Sequence, residues 1–289
     1  MKKLSVCVGI ISMFMGAAQA EVAEINGSNL SYTVIGEGPA VMVLHGGLGL
    51  DHTYLRPYFD QLSDAHTVVY YDHLGNGKSD HPEDFAELTM DRLVSDADAL
   101  REHLGLDGVV MIGHSYGGFI AQAYAAQHQD HLKGLALIDT APALDYHPQL
   151  AGTDQQMAAL GALFSGPMPD NETFRATWGQ VIQMYFKNYD SELGDVLDAN
   201  TTYSYEAWNA AGRMLATFNM LEALPNLEVP VWAVAGAADG ITPPAEGALR
   251  IAELVPNATS SIYHDSAHYP FIEQEDAFFV ELRIWMDGL

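Results

Sequence analysis

A serine set between glycines is the first group in this sequence that points to a defined chemistry. Ser115 lies in Gly113–Gly118 (GHSYGG), directly after the apolar run Val109–Ile112 and before a predicted helix, Phe119–His128. A tight turn from strand to helix holds a serine at unusual backbone angles and needs neighbours without side chains. It also places the hydroxyl at a helix N-terminus, where the helix dipole favours developing negative charge. The motif therefore predicts that Ser115 is a nucleophile.

A serine hydroxyl is a weak nucleophile unless a base removes its proton, and the chain offers 12 histidines. When the serine lies on such a turn, an acid and then a histidine follow it in chain order. His268 lies five residues past the last predicted strand, Ser260–Tyr263, in a loop before the final predicted helix, Gln274–Met286. His264 directly follows the same strand and is interpreted as structural. We therefore predict that His268 is the base.

The acid that orients the histidine is expected in a loop after a strand. Asp239 in Gly236–Gly240 (GAADG) follows the predicted strand Val231–Ala235 and fits that order. Its predicted role is to fix the tautomer and the orientation of the imidazole ring. Asp139, directly after the predicted strand Leu135–Ile138, is the alternative acid, or else a turn residue or helix cap.

Attack on a carbonyl creates an oxyanion, which needs hydrogen-bond donors already in place. One predicted donor is the backbone N–H of Tyr116, the residue after the nucleophile. The other is the backbone N–H of Gly47, in the glycine-rich stretch His45–Gly49 (HGGLG) after the predicted strand Ala40–Leu44.

The elements that must position these groups alternate short β-branched runs with amphipathic helical stretches. This pattern predicts an α/β fold with a mostly parallel central sheet flanked by helices on both faces. Further strands are predicted at Leu30–Ile35 and Thr67–Tyr71, and further helices at Tyr54–Leu62 and Leu88–Leu104.

Segment 142–225 differs from the rest, since it is rich in Ala, Met, Tyr and Trp and has no convincing strand pattern. We predict a helical cap inserted into a core made of residues 21–141 and 226–289. Four residues of the cap are candidates for an apolar substrate pocket, although helix packing also accounts for such side chains. They are Trp178, Tyr185, Trp208 and Met214.

The first twenty residues have the composition of a secretory signal peptide. Lys2 and Lys3 precede an apolar run, Leu4–Ala18, and Ala18–Ala20 is a small-residue cleavage site. The run is shorter than the ~20 residues that span a bilayer. We therefore predict cleavage after Ala20 and a periplasmic or secreted protein. Cys7 leaves with the signal, so the mature chain is not a thiol enzyme.

Charge and motif spacing exclude several other classes of protein. The net charge is −26, and removal of Lys2 and Lys3 leaves ten basic residues against 38 acidic ones. Such a chain repels phosphate backbones and anionic lipid, so neither nucleic acid nor a membrane surface is an expected partner. Segment 72–79 lacks phosphate-loop spacing. His128 and His131 have no evident third ligand in the sequence, so no cofactor or metal is predicted.

Three stretches together resemble the α/β-hydrolase superfamily and, within it, the proline iminopeptidase-like branch. They are His45–Gly49, Tyr71–Ser79 and Gly113–Gly118, the last followed by Gln129–Leu135. The resemblance implies a triad of Ser115, Asp239 and His268, a helical cap over the site and no cofactor.

The sequence departs from that branch directly after the predicted acid. Such iminopeptidases tend to carry a glutamate there to hold the α-ammonium group of the substrate, and here the position is Gly240. Glu206 and Glu222 of the cap are possible substitutes. The leading expectation is therefore a serine hydrolase acting through an acyl-enzyme on a small, largely apolar ester, lactone or amide. A proline-releasing aminopeptidase that takes short peptides and a non-catalytic ligand-binding protein on the same fold are the alternatives.

Overall fold

Eight strands in the computed structural model, which describes residues 20–289, form one sheet in the order β1-β2-β4-β3-β5-β6-β7-β8. The predicted signal peptide falls almost wholly outside the described residues. The strands are β1 (Glu21–Ile25), β2 (Ser28–Ile35), β3 (Ala40–Leu44), β4 (Thr67–Tyr71), β5 (Val109–His114), β6 (Leu132–Ile138), β7 (Val231–Gly236) and β8 (Ala258–Tyr263). β1 and β2 pair antiparallel with their neighbours, and the strands from β3 to β8 pair in parallel. The predicted mostly parallel sheet is confirmed.

Helices cover both faces of this sheet, as the fold prediction requires. They are α1 (Met90–His103), α2 (Tyr116–His128), α3 (Asp154–Ser165), α4 (Asn171–Val181), α5 (Ser191–Asn200), α6 (Tyr205–Leu215), α7 (Ala248–Leu254), α8 (Pro270–Glu273) and α9 (Glu275–Asp287). No helix within residues 20–289 is long and apolar enough to cross a membrane.

The central strands are apolar throughout because both of their faces are covered. All five residues of β3 are buried, and they alternate between two apolar clusters. Met42 and Leu44 pack with α1, α2 and α7, whereas Val41 and Val43 pack with α9 and the cap. Continuous apolar runs of this kind are typical of buried parallel strands. The core therefore lies on both sides of the sheet and holds its carboxyl edge rigid.

Two local features differ from the sequence predictions. β1 was not predicted, although Asn26-Gly27 between β1 and β2 is a hairpin signal, with φ of 49° and 79° at its two residues. The helix predicted over Tyr54–Leu62 is instead two 3-10 helices, His52–Leu55 and Tyr58–Asp64.

Four helices, α3 to α6, lie between β6 and β7 in the segment predicted as the cap. Each begins after a polar side chain that accepts a hydrogen bond from a backbone N–H of the first turn, which stabilises the helix start. These capping residues are Thr153, Asp170, Asp190 and Ser204.

Candidate active site

Ser115 occupies the turn between β5 and α2, at φ 52° and ψ −115°. A residue other than glycine at positive φ is strained, and it keeps that conformation only where its surroundings fix it. The Ser115 N–H donates to the carbonyl of Ile138 at 2.9 Å, and the Ser115 carbonyl accepts from the Gly118 N–H at 2.9 Å. A Cβ atom on Gly117 would overlap the carbonyl oxygen of Leu44. The glycines therefore allow β3 and the start of α2 to approach each other, with the serine between them.

His268 lies in the loop after β8 and contacts Asp239, which lies in the loop after β7. Nδ1 of His268 is 2.8 Å from Oδ2 of Asp239, and both side chains are about 1% exposed. Because Nδ1 faces a carboxylate, it carries the proton, and the lone pair of neutral imidazole resides on Nε2. Nε2 is buried and has no hydrogen-bond partner among residues 20–289. It is therefore the ring atom left to accept a proton.

Three further hydrogen bonds keep the Asp239 carboxylate in place. Oδ1 accepts from the backbone N–H of Ile241 at 2.8 Å and of Thr242 at 3.2 Å, and Oδ2 accepts from the Thr242 hydroxyl at 2.7 Å. Burial acts to raise the pKa of Asp239, but His268 and Thr242 outweigh it and hold the pKa below its usual value. Asp239 is therefore ionised and fixed against the imidazole.

The alternative acid, Asp139, lies beside this pair without binding the imidazole. Oδ1 of Asp139 accepts from the Gly236 N–H at 2.9 Å, and Oδ2 has no partner in the described part of the chain. Ligand-type atoms of Asp139, Asp239 and His268 all lie within 4.8 Å of one another. Burial, followed by the negative charge of Asp239, raises the pKa of Asp139 well above its usual value. Asp139 therefore holds a proton.

The rival histidine, His264, is exposed on the surface. Its carbonyl oxygen accepts from Nζ of Lys187 at 2.8 Å, and its side chain does not line the cavity that holds Ser115.

The loop after β3 presses against the nucleophile. A Cβ atom on Gly46 would lie 2.8 Å from the Ser115 Cβ, so only glycine fits without displacing the serine. The Gly46 N–H already donates to the Tyr54 hydroxyl at 2.6 Å, which leaves the next N–H along the chain, that of Gly47. Neither Gly47 nor Tyr116 donates its N–H to an acceptor within residues 20–289, and both line the cavity beside Ser115. These two groups are therefore free to bind an oxyanion.

A cavity of about 1030 Å³ opens above Ser115 and His268, between the sheet edge and the cap. Trp178, Tyr185 and Trp208 line it, as the sequence analysis suggested. The Tyr185 carbonyl also accepts from the His268 N–H at 2.9 Å, so the cap contacts the histidine loop directly.

Met214 does not line this cavity, and its suggested place in the pocket is wrong. Successive helix residues point about 100° apart. Leu215 therefore faces the cavity, whereas Met214 faces a separate groove beside Phe85 and Met90.

The position after Asp239 has no room for a side chain. A Cβ atom on Gly240 would lie 2.7 Å from the Gln149 carbonyl oxygen, and the Gly240 carbonyl accepts from the Gln149 N–H at 2.6 Å. Neither Glu206 nor Glu222 lines the cavity. Three other acidic residues line the cavity: Glu172 and Asp195, which are exposed, and Asp198, which binds Arg175.

Sequence reasoning missed several residues that line the cavity. Ile241 lies two residues after Asp239, and Tyr269 directly follows His268. Their closeness in sequence to the predicted acid and base could have indicated that they line the cavity. Tyr54 and Tyr146 lie far along the chain from the motifs, so no spacing pointed to them.

The structure also corrects the statement that His128 and His131 lack a third ligand-type neighbour. Asp98 of α1 lies beside them, and its Oδ1 is 3.0 Å from Nδ1 of His131. Oδ1 also accepts from Nε of Arg101 and from the Tyr124 hydroxyl, each at 2.8 Å. Because Asp98 comes from a helix about thirty residues upstream, spacing within the histidine segment did not reveal it.

Comparison with known proteins places these observations in a family context. The family described as "alpha/beta hydrolase fold" matches residues 39–275. Proline iminopeptidase PfmaB of Pestalotiopsis fici is 26% identical over 278 residues, covering 91% of this chain and 98% of that protein. Proline iminopeptidase of Saccharolobus solfataricus is 27% identical over 292 residues, covering 89% of this chain and 87% of that protein. The structure of an esterase from Exiguobacterium antarcticum superimposes with a TM-score of 0.78 at 20% identity, covering 93% of this chain and 100% of that one.

Proposed function

This chain belongs to the α/β-hydrolase family, and from that premise we propose that it is an exported serine hydrolase cleaving small, largely apolar esters, lactones or amides. Ser115 is the proposed nucleophile, His268 the base, Asp239 the orienting acid, and the N–H groups of Gly47 and Tyr116 the oxyanion donors.

The observation that carries this proposal is the apolar cavity, which both Ser115 and His268 line. Aromatic and aliphatic side chains dominate its inner walls, among them Phe119, Leu160 and Trp208. A pocket of this size suits a drug-sized or smaller ligand, and apolar walls favour an apolar acyl group. An ammonium group placed against such walls without a carboxylate partner would be costly.

The proposed reaction is acyl transfer through Ser115, with His268 as the group that takes and returns the proton. Oγ of Ser115 attacks the carbonyl carbon while its proton passes to Nε2 of His268. The carbonyl oxygen takes the negative charge between the N–H groups of Gly47 and Tyr116. His268 then gives the proton to the leaving alkoxide or amine, and an acyl-enzyme remains on Ser115. Water, deprotonated by His268, releases the acid and restores the serine.

A proline-releasing aminopeptidase is the second candidate, because the two curated relatives described above carry the name proline iminopeptidase. Of the three acidic residues on the cavity side of the cap, Asp198 already binds Arg175, which leaves Glu172 and Asp195 to meet an α-ammonium group. Both are exposed, so an ammonium group bound there would keep contact with water. The crowded position at Gly240 counts against the ammonium site suggested by the family resemblance.

Substrate profiling separates the two candidates. Purified residues 21–289 would be assayed on p-nitrophenyl esters of increasing acyl length and on aminoacyl-naphthylamides, with and without N-acetylation. We expect fast ester cleavage and slow release of naphthylamine. Fast amide cleavage that disappears when the α-amine is acetylated would favour the aminopeptidase.

The nucleophile is tested by replacing its hydroxyl. Ser115→Ala is expected to fold normally and to lose about a thousandfold or more in kcat/KM. Ser165→Ala, an exposed serine at the end of α3, is the matched control and should keep full activity. A fluorophosphonate that fails to label Ser115 of the wild-type protein would favour the non-catalytic binding protein instead.

Export rests on the composition of residues 1–20 alone. Expressed from its first methionine in a Gram-negative host, the chain should accumulate in the periplasm or medium with Glu21 as its N-terminus. A protein recovered from the cytoplasm with Lys2 and Lys3 still attached would contradict the proposal.

A further inference from the structure

We propose that Tyr54 and His114 are positioning residues, which hold the loop after β3 and the loop after β8 in register with Ser115 through one chain of hydrogen bonds. This inference rests on the proposed function, since it concerns the accuracy with which the same site is assembled.

The chain runs through three short contacts. The Gly46 N–H donates to the Tyr54 hydroxyl oxygen at 2.6 Å. The Tyr54 hydroxyl lies 2.6 Å from Nδ1 of His114, and Nε2 of His114 lies 2.9 Å from the carbonyl oxygen of His268. His114 is 2% exposed and Tyr54 is 9% exposed, so both side chains are buried.

The direction of every proton in the chain follows from its two ends. A carbonyl oxygen only accepts, so Nε2 of His114 carries the proton and Nδ1 accepts. The Tyr54 hydroxyl then donates to Nδ1, and its oxygen accepts from the Gly46 N–H. Burial raises the pKa of Tyr54, which keeps this donor protonated. Burial lowers the pKa of His114 well below its usual value, which keeps the ring neutral.

Each end of the chain adjoins a group of the proposed machinery. Gly46 directly precedes Gly47, the proposed oxyanion donor, and His114 directly precedes the nucleophile. The carbonyl at the other end belongs to the proposed base itself. Tyr54 and His114 are also packed against Tyr269 and Phe271, which limits their movement. Three loops from different strands are therefore joined by two side chains, and the His114 ring also packs beside the His268 ring, with 4.9 Å between the ring centroids.

Tyr54→Phe removes the central link and keeps the ring. The Gly46 N–H and Nδ1 of His114 would both lose their partner, and the Gly47 N–H would no longer be fixed relative to Ser115. Oxyanion donors act only when correctly placed, and a misplacement of about 1 Å costs on the order of a hundredfold in rate. We expect kcat to fall by about 10- to 100-fold with KM changed by less than about threefold.

Tyr71→Phe is the matched control, because Tyr71 is a buried tyrosine whose hydroxyl has no hydrogen-bond partner in the described residues. The substrate-independent measurement is the second-order rate of Ser115 labelling by a fluorophosphonate, whose phosphoryl oxygen occupies the oxyanion site. Tyr54→Phe should label about 10- to 100-fold more slowly than Tyr71→Phe. A purely structural role would lower the melting temperature and leave the labelling rate of the folded protein unchanged.

His114→Gln supplies a second variant if Tyr54→Phe folds poorly, since a glutamine amide offers both a donor and an acceptor. His114→Gln should label at a rate between those of the wild type and Tyr54→Phe. The double variant should label at a rate within about twofold of that of Tyr54→Phe, because both residues act in one chain of hydrogen bonds. Labelling of both single variants at the rate of Tyr71→Phe overturns this inference. Absence of labelling in the wild type overturns the proposed function instead, so the two failures are distinguishable.

Discussion

At the scale of single residues, two buried carboxyl groups of the site, those of Asp239 and Asp139, lie close together but differ in ionisation. Asp239 receives hydrogen bonds from two backbone N–H groups, a hydroxyl and the His268 ring, whereas Asp139 receives one, from Gly236. Two neighbouring carboxylates in a buried site do not both ionise, and the charge goes to the better hydrogen-bonded one. The imidazole is therefore paired with an ionised Asp239 and flanked by a neutral Asp139.

Asp139→Asn tests this division of charge, because an amide has nearly the shape of a protonated carboxyl group. We expect kcat/KM at pH 7 to stay within about threefold of the wild type, whereas Asp239→Asn should lose about 10⁴-fold by favouring the wrong tautomer of His268. Steady-state assays of both variants, with circular dichroism to check folding, make the comparison. A loss in Asp139→Asn as large as that in Asp239→Asn would show that Asp139 carries the charge.

Chain order was sufficient to select Asp239 and His268, and the structure places their side chains in contact. Chain order works here because the carboxyl ends of parallel strands meet at one edge of the sheet. Chain order says nothing about Tyr54 and His114, which are 60 residues apart. They meet because the 3-10 helix that contains Tyr54 packs against the turn between β5 and α2. No local pattern in the sequence encodes that contact.

At the scale of elements, the start of α6 is tied to the loop that carries Gly47. The Ser204 N–H donates to the Gly49 carbonyl at 2.8 Å, and the Thr202 N–H donates to Oδ2 of Asp51 at 2.7 Å. Asp51 also caps the 3-10 helix that contains Tyr54. The cap is therefore anchored on the same loop that supplies the oxyanion donor.

Gly49→Ala should break this anchor. Gly49 has a φ of +70°, and an added Cβ would overlap the Ser204 carbonyl oxygen. We expect a loss of about 1–3 kcal/mol in the free energy of unfolding, since strain and overlap act together. Gly212→Ala is the control, at an exposed position inside α6 with nothing within 4 Å, and should gain about 0.5–1 kcal/mol. Urea unfolding of both variants decides, and equal stabilities would disprove the anchor.

The bounds of strands with continuous apolar runs could be predicted from the sequence. Features that depend on turn geometry, or on which face of a helix meets the cavity, were harder to predict. β3 and β4 have the predicted bounds because both are apolar runs ended by turns. Met214 was misplaced because α6 has apolar residues on several faces, and only packing decides which face meets the cavity.

At the scale of the whole molecule, the loops around the site bury three uncharged imidazoles. His45 and His73 stack with ring centroids 4.0 Å apart, and the backbone N–H of His73 donates to Nε2 of His45 at 3.2 Å. His114 is the third. Burial is the main cause that lowers the pKa of each below its usual value. The folded protein therefore resists protonation at positions where the unfolded chain accepts it.

The stability of the protein should consequently pass through a maximum near pH 7. Below about pH 6.5 the unfolded chain gains up to three protons at these histidines that the folded state refuses, so stability is lost as the pH falls. Asp139 acts in the opposite sense, because its raised pKa lets the folded state keep a proton that the unfolded chain releases above about pH 4. Because three histidines oppose one aspartate, the free energy of unfolding is expected to fall as the pH falls, and each proton of difference contributes at most about 1.4 kcal/mol per pH unit.

On the alkaline side only the Asp139 proton remains in this balance, so the free energy of unfolding is expected to fall as the pH rises, by at most about 1.4 kcal/mol per pH unit. Urea midpoints measured from pH 5 to 9 would give both slopes. His73→Gln should reduce the pH dependence of the free energy of unfolding on the acid side by the contribution of about one proton. His81→Gln, at an exposed histidine, should leave that dependence unchanged. Asp139→Asn should abolish the alkaline slope and raise stability at pH 7, because its amide has no proton to lose on unfolding. A stability curve that stays flat from pH 5 to 9 in the wild type would mean that these buried groups titrate alike in the folded and unfolded states.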